Sequence, residues 1–163
     1  IEFNEAQYSD SGIDSVEFAV NFNKGDVLKP ISKIASGGEI SRFMLALKNV
    51  ISETDNIETL IFDEIDTGVS GVAAQTIGEK LKEISRYRQV LCITHLPQIA
   101  SYADRHYLVE KFDTDITTET VVSRLDDDER VTELAKMIGG LNITNTTIEN
   151  AKELISKNNR SIK

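Results

Sequence analysis

The chain has 163 residues, 40% of them hydrophobic and 28% charged, with a formal net charge of -9. That length suits one domain with a single core, and the acidic balance excludes a surface that is basic as a whole, the kind that holds nucleic acid by charge alone. No apolar run approaches the ~20 residues of a membrane span, and no signal-peptide pattern opens the sequence. The single cysteine, Cys92, cannot form an intramolecular disulfide. It lies in the apolar run Val90 to Ile93 and reads as a small buried hydrophobe in a reducing, cytoplasmic setting. Two histidines and one cysteine are too few for a structural zinc site. The sequence begins at Ile1 rather than Met, directly in strand-like residues, and is read as a piece of something longer.

Along the chain, Ile1 to Tyr8 is a weak strand, Ser9 to Gly12 a turn, and Ser15 to Asn23 a half-buried strand. In the last of these, Val16, Phe18, Val20 and Phe22 alternate with small or polar residues. A loop over Lys24 to Pro30 leads to Ala35-Ser36-Gly37-Gly38-Glu39. Helical spacing follows at Ile40, Phe43, Met44, Leu47 and Ile51. Thr59 to Phe62 is a short strand ending in Asp63-Glu64, and Gly68, Ser70 and Gly71 make the next loop. Val72 to Tyr87 is a second helix, and Gln89 to Thr94 an apolar strand of the kind buried on both faces. It ends at His95, and Pro97 opens a short helix through Tyr102. Alternation of strand and helix indicates a parallel α/β sheet.

After it, Arg105 to Phe112 and Thr117 to Leu125 form a hairpin across Asp113-Thr114-Asp115. Asp126 to Asp128 caps a helix that Gly139 and Gly140 stop. Thr146 and Glu149 have capping-box spacing for a last helix, with fraying expected from Lys157 to Lys163. No internal repeat and no low-complexity segment is visible.

Three stretches carry chemistry. Leu60 to Phe62 followed by Asp63-Glu64 places two carboxylates at the C-terminal edge of a parallel sheet, where ligands bind in open α/β folds. One acid can hold Mg²⁺ and the other polarise an attacking water, although an apolar run ending in Asp-Glu is also an ordinary strand end. Ser36-Gly37-Gly38-Glu39 opens a helix, where free N–H groups and the helix dipole favour an anion; a plain cap has the same residues. Ile93-Thr94-His95 ends a strand with an imidazole that can hydrogen-bond a phosphate or a water, or simply face solvent.

Taken in order, these stretches resemble the second half of an ABC-type ATPase head, with its signature motif, Walker B strand, D-loop and H-loop. Within that class, Leu28-Lys29-Pro30, Glu39 to Arg42, Glu64 to Gly71 and His95 to Ala100 resemble the RecN family of bacterial SMC-like DNA repair ATPases. The resemblance is specific from Val27 to Ala103 and looser through Met137 to Gly140. It implies a P-loop NTPase fold, C-terminal half, with a mainly parallel sheet flanked by helices, a β-hairpin and C-terminal helices. The whole chain would be one domain, residues 1–163.

Carried over by position, the resemblance implies that Ser36 and Gly38 contact the γ-phosphate of ATP held by an opposite head, with Gly37 and Glu39 beside them. Asp63 would serve Mg²⁺, directly or through water, Glu64 would be the catalytic carboxylate, and His95 the γ-phosphate sensor. Asp66 would sit in the D-loop at the head–head interface, with Arg42 a weaker interface candidate. The implied partners are a second copy of the head, an N-terminal half bearing Walker A, and DNA reached through the full-length protein. The implied setting is the cytoplasm, at the nucleoid, in double-strand break repair and recombination under the DNA-damage (SOS) response.

No Gly-x-x-x-x-Gly-Lys-[Ser/Thr] occurs in the chain, so nothing in it cradles the β- and γ-phosphates. Alone, it is expected neither to bind ATP tightly nor to hydrolyse it. Three alternatives stay open at this level. They are another SMC-family or ABC ATPase head, a non-catalytic interaction module of the same fold, and a small-molecule α/β enzyme using Asp63 and Glu64 as acid and base.

Overall fold

A computed structural model describes residues 1–10, 12–21, 25, 27–33, 36–51, 56–113, 117–140 and 142–160. The expectations for Ser11, Phe22, Asn23, Lys24, Asp26, Ala35, Thr114, Asp115 and the last three residues lie outside these.

The chain opens with an antiparallel hairpin of β1 (Glu2–Ser9) and β2 (Gly12–Glu17). Its register shifts between Glu5 and Ser9, so it carries a bulge or irregularity there. The half-buried strand expected from Ser15 breaks at Phe18. Beyond it β3 (Ala19–Val20) pairs antiparallel with β4 (Lys29–Pro30). Val16 and Phe18 are more than half exposed, so the alternation marks a strand but not a buried face.

The centre of the molecule is β5 (Thr59–Phe62) hydrogen-bonded in parallel to β6 (Gln89–Cys92). Helix α2 (Gly71–Ile84) makes the crossover between them, which a parallel pair requires. Helix α1 (Gly37–Val50) and the one-turn α3 (Pro97–Ala100), with Pro97 at its start, complete the layer. Leu60 and Phe62 from β5, Ile65 from the loop after it, and Ala74, Ile77 and Ile84 from α2 form the main core. Gly78 lets the Tyr102 ring lie against α2, since a Cβ there would run into that ring. Helix α3 ends at Ala100, two residues short of expectation.

The mixed α/β architecture agrees with expectation, and the parallel pairing is confined, among the described residues, to β5–β6; the other three pairs are antiparallel. The expectation that the strand after Gln89 is covered on both faces is corrected. Leu91 is 47% exposed, Ile93 61% and, on β5, Ile61 70%, so one face of the pair is bare in this chain. The strand also ends at Cys92 rather than Thr94.

The second hairpin, β7 (Tyr107–Asp113) with β8 (Thr118–Arg124), is antiparallel throughout and exposed on most of its length. Helices α4 (Asp127–Gly139) and α5 (Asn145–Arg160) then pack on each other through Leu134, Ala135 and Ala151, with Ala100 in the same cluster. Asp126 caps α4 as expected. Its side chain accepts the Glu129 N–H at 2.8 Å, while the Glu129 carboxylate accepts the Asp126 N–H at 2.9 Å. Asp126→Ala is therefore expected to cost about 1 kcal/mol, read as a lowered melting temperature of the chain. An unchanged value would show that the box contributes nothing.

Gly140 ends α4 with a positive φ of 68°. For α5 the expected cap is displaced. The reciprocal bonds join Thr144 and Thr147, at 2.9 and 3.2 Å, and not Thr146 and Glu149. The helix also continues to Arg160, past the expected fraying point at Lys157.

Candidate functional site

The parallel register sets Leu60 beside Val90 and Phe62 beside Cys92, and the Ile93 N–H extends the pairing by donating to Phe62 O at 3.0 Å. Two strands of equal reach thus deliver Asp63-Glu64 and Thr94-His95 to the same carboxyl edge. Just past β5 the chain turns sharply. The Thr67 N–H donates to Glu64 O at 3.0 Å, and the Asp63 carboxylate accepts the Glu64 N–H at 2.9 Å. Glu64 takes a φ of 58°, the only described non-glycine residue in the left-handed region. Such a residue costs on the order of 1 kcal/mol or more and persists only where its surroundings impose it. Both Asp63 and Glu64 are exposed.

Helix α1 imposes that turn. Ser36 is its N-cap in extended conformation but makes no side-chain cap bond. From the second turn, Ser41 donates to Asp63 O at 2.8 Å, and Arg42 Nη1 donates to Ile65 O at 3.1 Å and Thr67 O at 2.8 Å. The two glycines permit this approach. A Cβ on Gly37 would collide with Glu64 Oε2, and one on Gly38 would lie 2.9 Å from both Arg42 Nη1 and Glu64 O. The Glu64 carboxylate therefore lies against the first turn of α1, at the positive end of its dipole. Glu39 occupies that same first turn.

Asp66 points the other way. It is 4% exposed, and its Oδ2 accepts from Thr94 Oγ1 at 2.6 Å and the His95 N–H at 2.9 Å, with His95 Nδ1 3.0 Å away. Burial by itself would raise this carboxyl, but the bonds from Thr94 and His95, with the attraction of the ring, hold it below its ordinary value. It is ionised at neutral pH. The His95 side chain is 75% exposed beyond that contact. Half-buried Cys92 is chemically quiet: burial first, then the carboxylates of Asp66 and Asp63, push its thiol up to about 12.

The residues singled out in the sequence thus form two connected groups. Gly37, Gly38, Asp63 and Glu64 meet at the head of α1, while Asp66 and His95 pair just past the C-terminal end of β6. The backbone from Ile65 to Thr67, gripped by Arg42, joins them. Ser41 and Thr94 were not singled out from the sequence. The only signal was position: Ser41 lies one turn into the glycine-led helix, and Thr94 directly precedes His95 at a strand end. Among the described residues no cluster of three or more His, Cys, Asp or Glu could hold a metal ion.

No family model matches the chain. Among curated proteins it is 49% identical to the DNA repair protein RecN of Halalkalibacterium halodurans over 148 residues, covering 91% of this chain and 26% of that protein. RecN of Bacillus subtilis is 48% identical over 93% of this chain and 26% of its own length, and RecN of Vibrio cholerae 42% identical over 95% and 28%. The chain spans about a quarter of the length of these relatives. A solved chain from work on ATP-driven dimerization and DNA-stimulated activation of SMC ATPases gives a TM-score of 0.47 at 22% identity, over 72% of this chain and 70% of that one.

Proposed function

We propose, from 42–49% identity to about a quarter of the length of RecN proteins, that this chain is the C-terminal lobe, residues 1–163, of an ABC-type ATPase head that hydrolyses ATP between two copies in DNA double-strand break repair. The observation that carries the reading is the shared edge. The head of α1, the Asp63-Glu64 turn and His95 converge there, joined by hydrogen bonds over 22 to 29 residues of sequence.

The residues fit a nucleotide with its Mg²⁺. The first-turn N–H groups of α1 have no intrahelical acceptors, and Ser36 leaves them free of a side-chain cap. That suits a phosphate brought by the opposite head to Ser36, Gly37 and Gly38, with Glu39 at the rim. Bound Mg²⁺ would supply charge neutralisation of the phosphates. It would take one ligand from Asp63 and most of the others from phosphate and water, the habit of this ion, so no three-residue cluster is called for. Glu64 would accept the proton of the attacking water as general base. His95 would present its outward nitrogen to the terminal phosphate.

The bare β5–β6 face, with Ile61, Leu91 and Ile93, suits coverage by the Walker A-bearing half of the same head. Parallel sheets are ordinarily covered on both sides. DNA would be engaged through the remainder of the protein, at the nucleoid, since this lobe is acidic. No described helix is long and apolar enough to cross a membrane.

The test mixes this chain with the separately expressed Walker A half of a RecN protein and measures ATP hydrolysis. Turnover is expected only when both parts are present. Association of the halves without turnover would count against an ATPase and favour a binding module on the same fold.

A further inference from the structure

Asp66 is the only buried acid among the described residues, and its position is built by the fold. Ile65, fully buried, anchors the chain on one side of it. Arg42 grips the carbonyls of Ile65 and Thr67, the residues immediately before and after it. With its backbone pinned on both flanks, Asp66 must send its side chain inward to the end of β6. There one oxygen, Oδ2, accepts from Thr94 Oγ1 and the His95 N–H, and lies 3.0 Å from His95 Nδ1.

An ionised carboxylate 3.0 Å from Nδ1 favours hydrogen on that nitrogen and disfavours a lone pair there. The ring is three-quarters exposed, so packing does little to orient it. The Asp66 carboxylate beside Nδ1 is the charge that orients it, with Nδ1 inward and Nε2 outward. We propose that Asp66 is a positioning residue for His95, holding the imidazole as the Nδ1–H form so that Nε2 is the nitrogen presented at the sheet edge. The proposal deepens the ATPase reading and rests on it. It assigns Asp66 work within its own chain, in addition to the head–head contact that the family resemblance implies.

The same arrangement of a buried carboxylate fixing a histidine tautomer is how triad enzymes orient their base, and an amide replacement there leaves the geometry while misdirecting the ring. Asp66→Asn in a protein carrying this chain together with its Walker A half is therefore expected to lower kcat by roughly tenfold or more, with KM for ATP little changed. Two readouts separate positioning from a merely structural role. Nitrogen-15 NMR of the His95 ring in the unmutated protein is expected to show hydrogen on Nδ1 whenever the ring is neutral, and Asp66→Asn is expected to shift that balance. In a His95→Ala background, Asp66→Asn should lower kcat no further, because its effect runs through a ring that is gone.

An unmutated ring carrying hydrogen on Nε2, or an Asp66→Asn effect that multiplies with His95→Ala, would overturn the proposal even if the amide variant proved too unstable to assay. Failure of the ATPase reading looks different: His95→Ala alone would leave turnover unchanged, or the joined halves would show none.

Discussion

Glu64→Gln is expected to remove ATP hydrolysis from the joined halves by about a thousandfold while leaving nucleotide binding in place. A general base contributes roughly 10²–10⁴ in rate, and an amide of the same shape cannot accept the proton. The substitution is clean in this structure because Glu64 is exposed and its backbone is held by others: the Thr67 N–H, the Asp63 carboxylate and the packing of Gly37 and Gly38. Its effect on folding should thus stay within about 0.5 kcal/mol. Single-turnover hydrolysis and equilibrium ATP binding, measured on the same preparation, separate the two effects. A rate within tenfold of the parent would remove Glu64 from the catalytic role and return the small-molecule and binding-module readings to consideration.

Ile65→Ala should be the most damaging single truncation near the site. The side chain is 0% exposed and belongs to the core formed by β5 and α2. Truncating a buried Ile to Ala costs about 2–5 kcal/mol, the transfer term plus the cavity left behind. A value near 3 kcal/mol would lower the melting temperature of a chain this size by roughly 6–12 °C. The loss reaches the site as well, because Ile65 is the peg between Glu64 and Asp66, which point in opposite directions. Ile61→Ala, two residues upstream of Asp63 but 70% exposed, is the matched control and should shift the melting temperature little. Equal effects of the two would mean that the covered and bare faces of β5 are not distinguished in solution.

Much of the site's framework was legible in the sequence because its signals are local. Short apolar runs, Leu60 to Phe62 before Asp-Glu and Val90 to Ile93 before Thr-His, mark β5 and β6, and paired glycines mark the head of α1. What escaped is what depends on distant partners. Asp66 is just an acid in a loop until the fold brings Thr94 and His95 to it from 28 and 29 residues away. Arg42 entered only as an interface candidate implied by the resemblance, whereas its hydrogen bonds run to the backbone on either side of Asp66. Burial was misjudged along β6 because an apolar strand shows how much cover it needs, and this chain covers only one side. The cap of α5 slipped by two positions because Thr144, Thr146 and Thr147 offer near-identical hydroxyls, and only geometry chooses among them.

The left-handed backbone at Glu64 has an evolutionary consequence. Glycine adopts that conformation without penalty, so under the proposed role of Glu64 the residue best for folding at this position is not the residue best for chemistry. A duplicated copy released from selection for hydrolysis would find an easy downhill path, trading the glutamate for glycine and gaining stability on the way. Among descendants of such a duplication, the residue at this turn would then separate working copies from retired ones sooner than any change at Asp63 or His95, where no comparable relief is on offer.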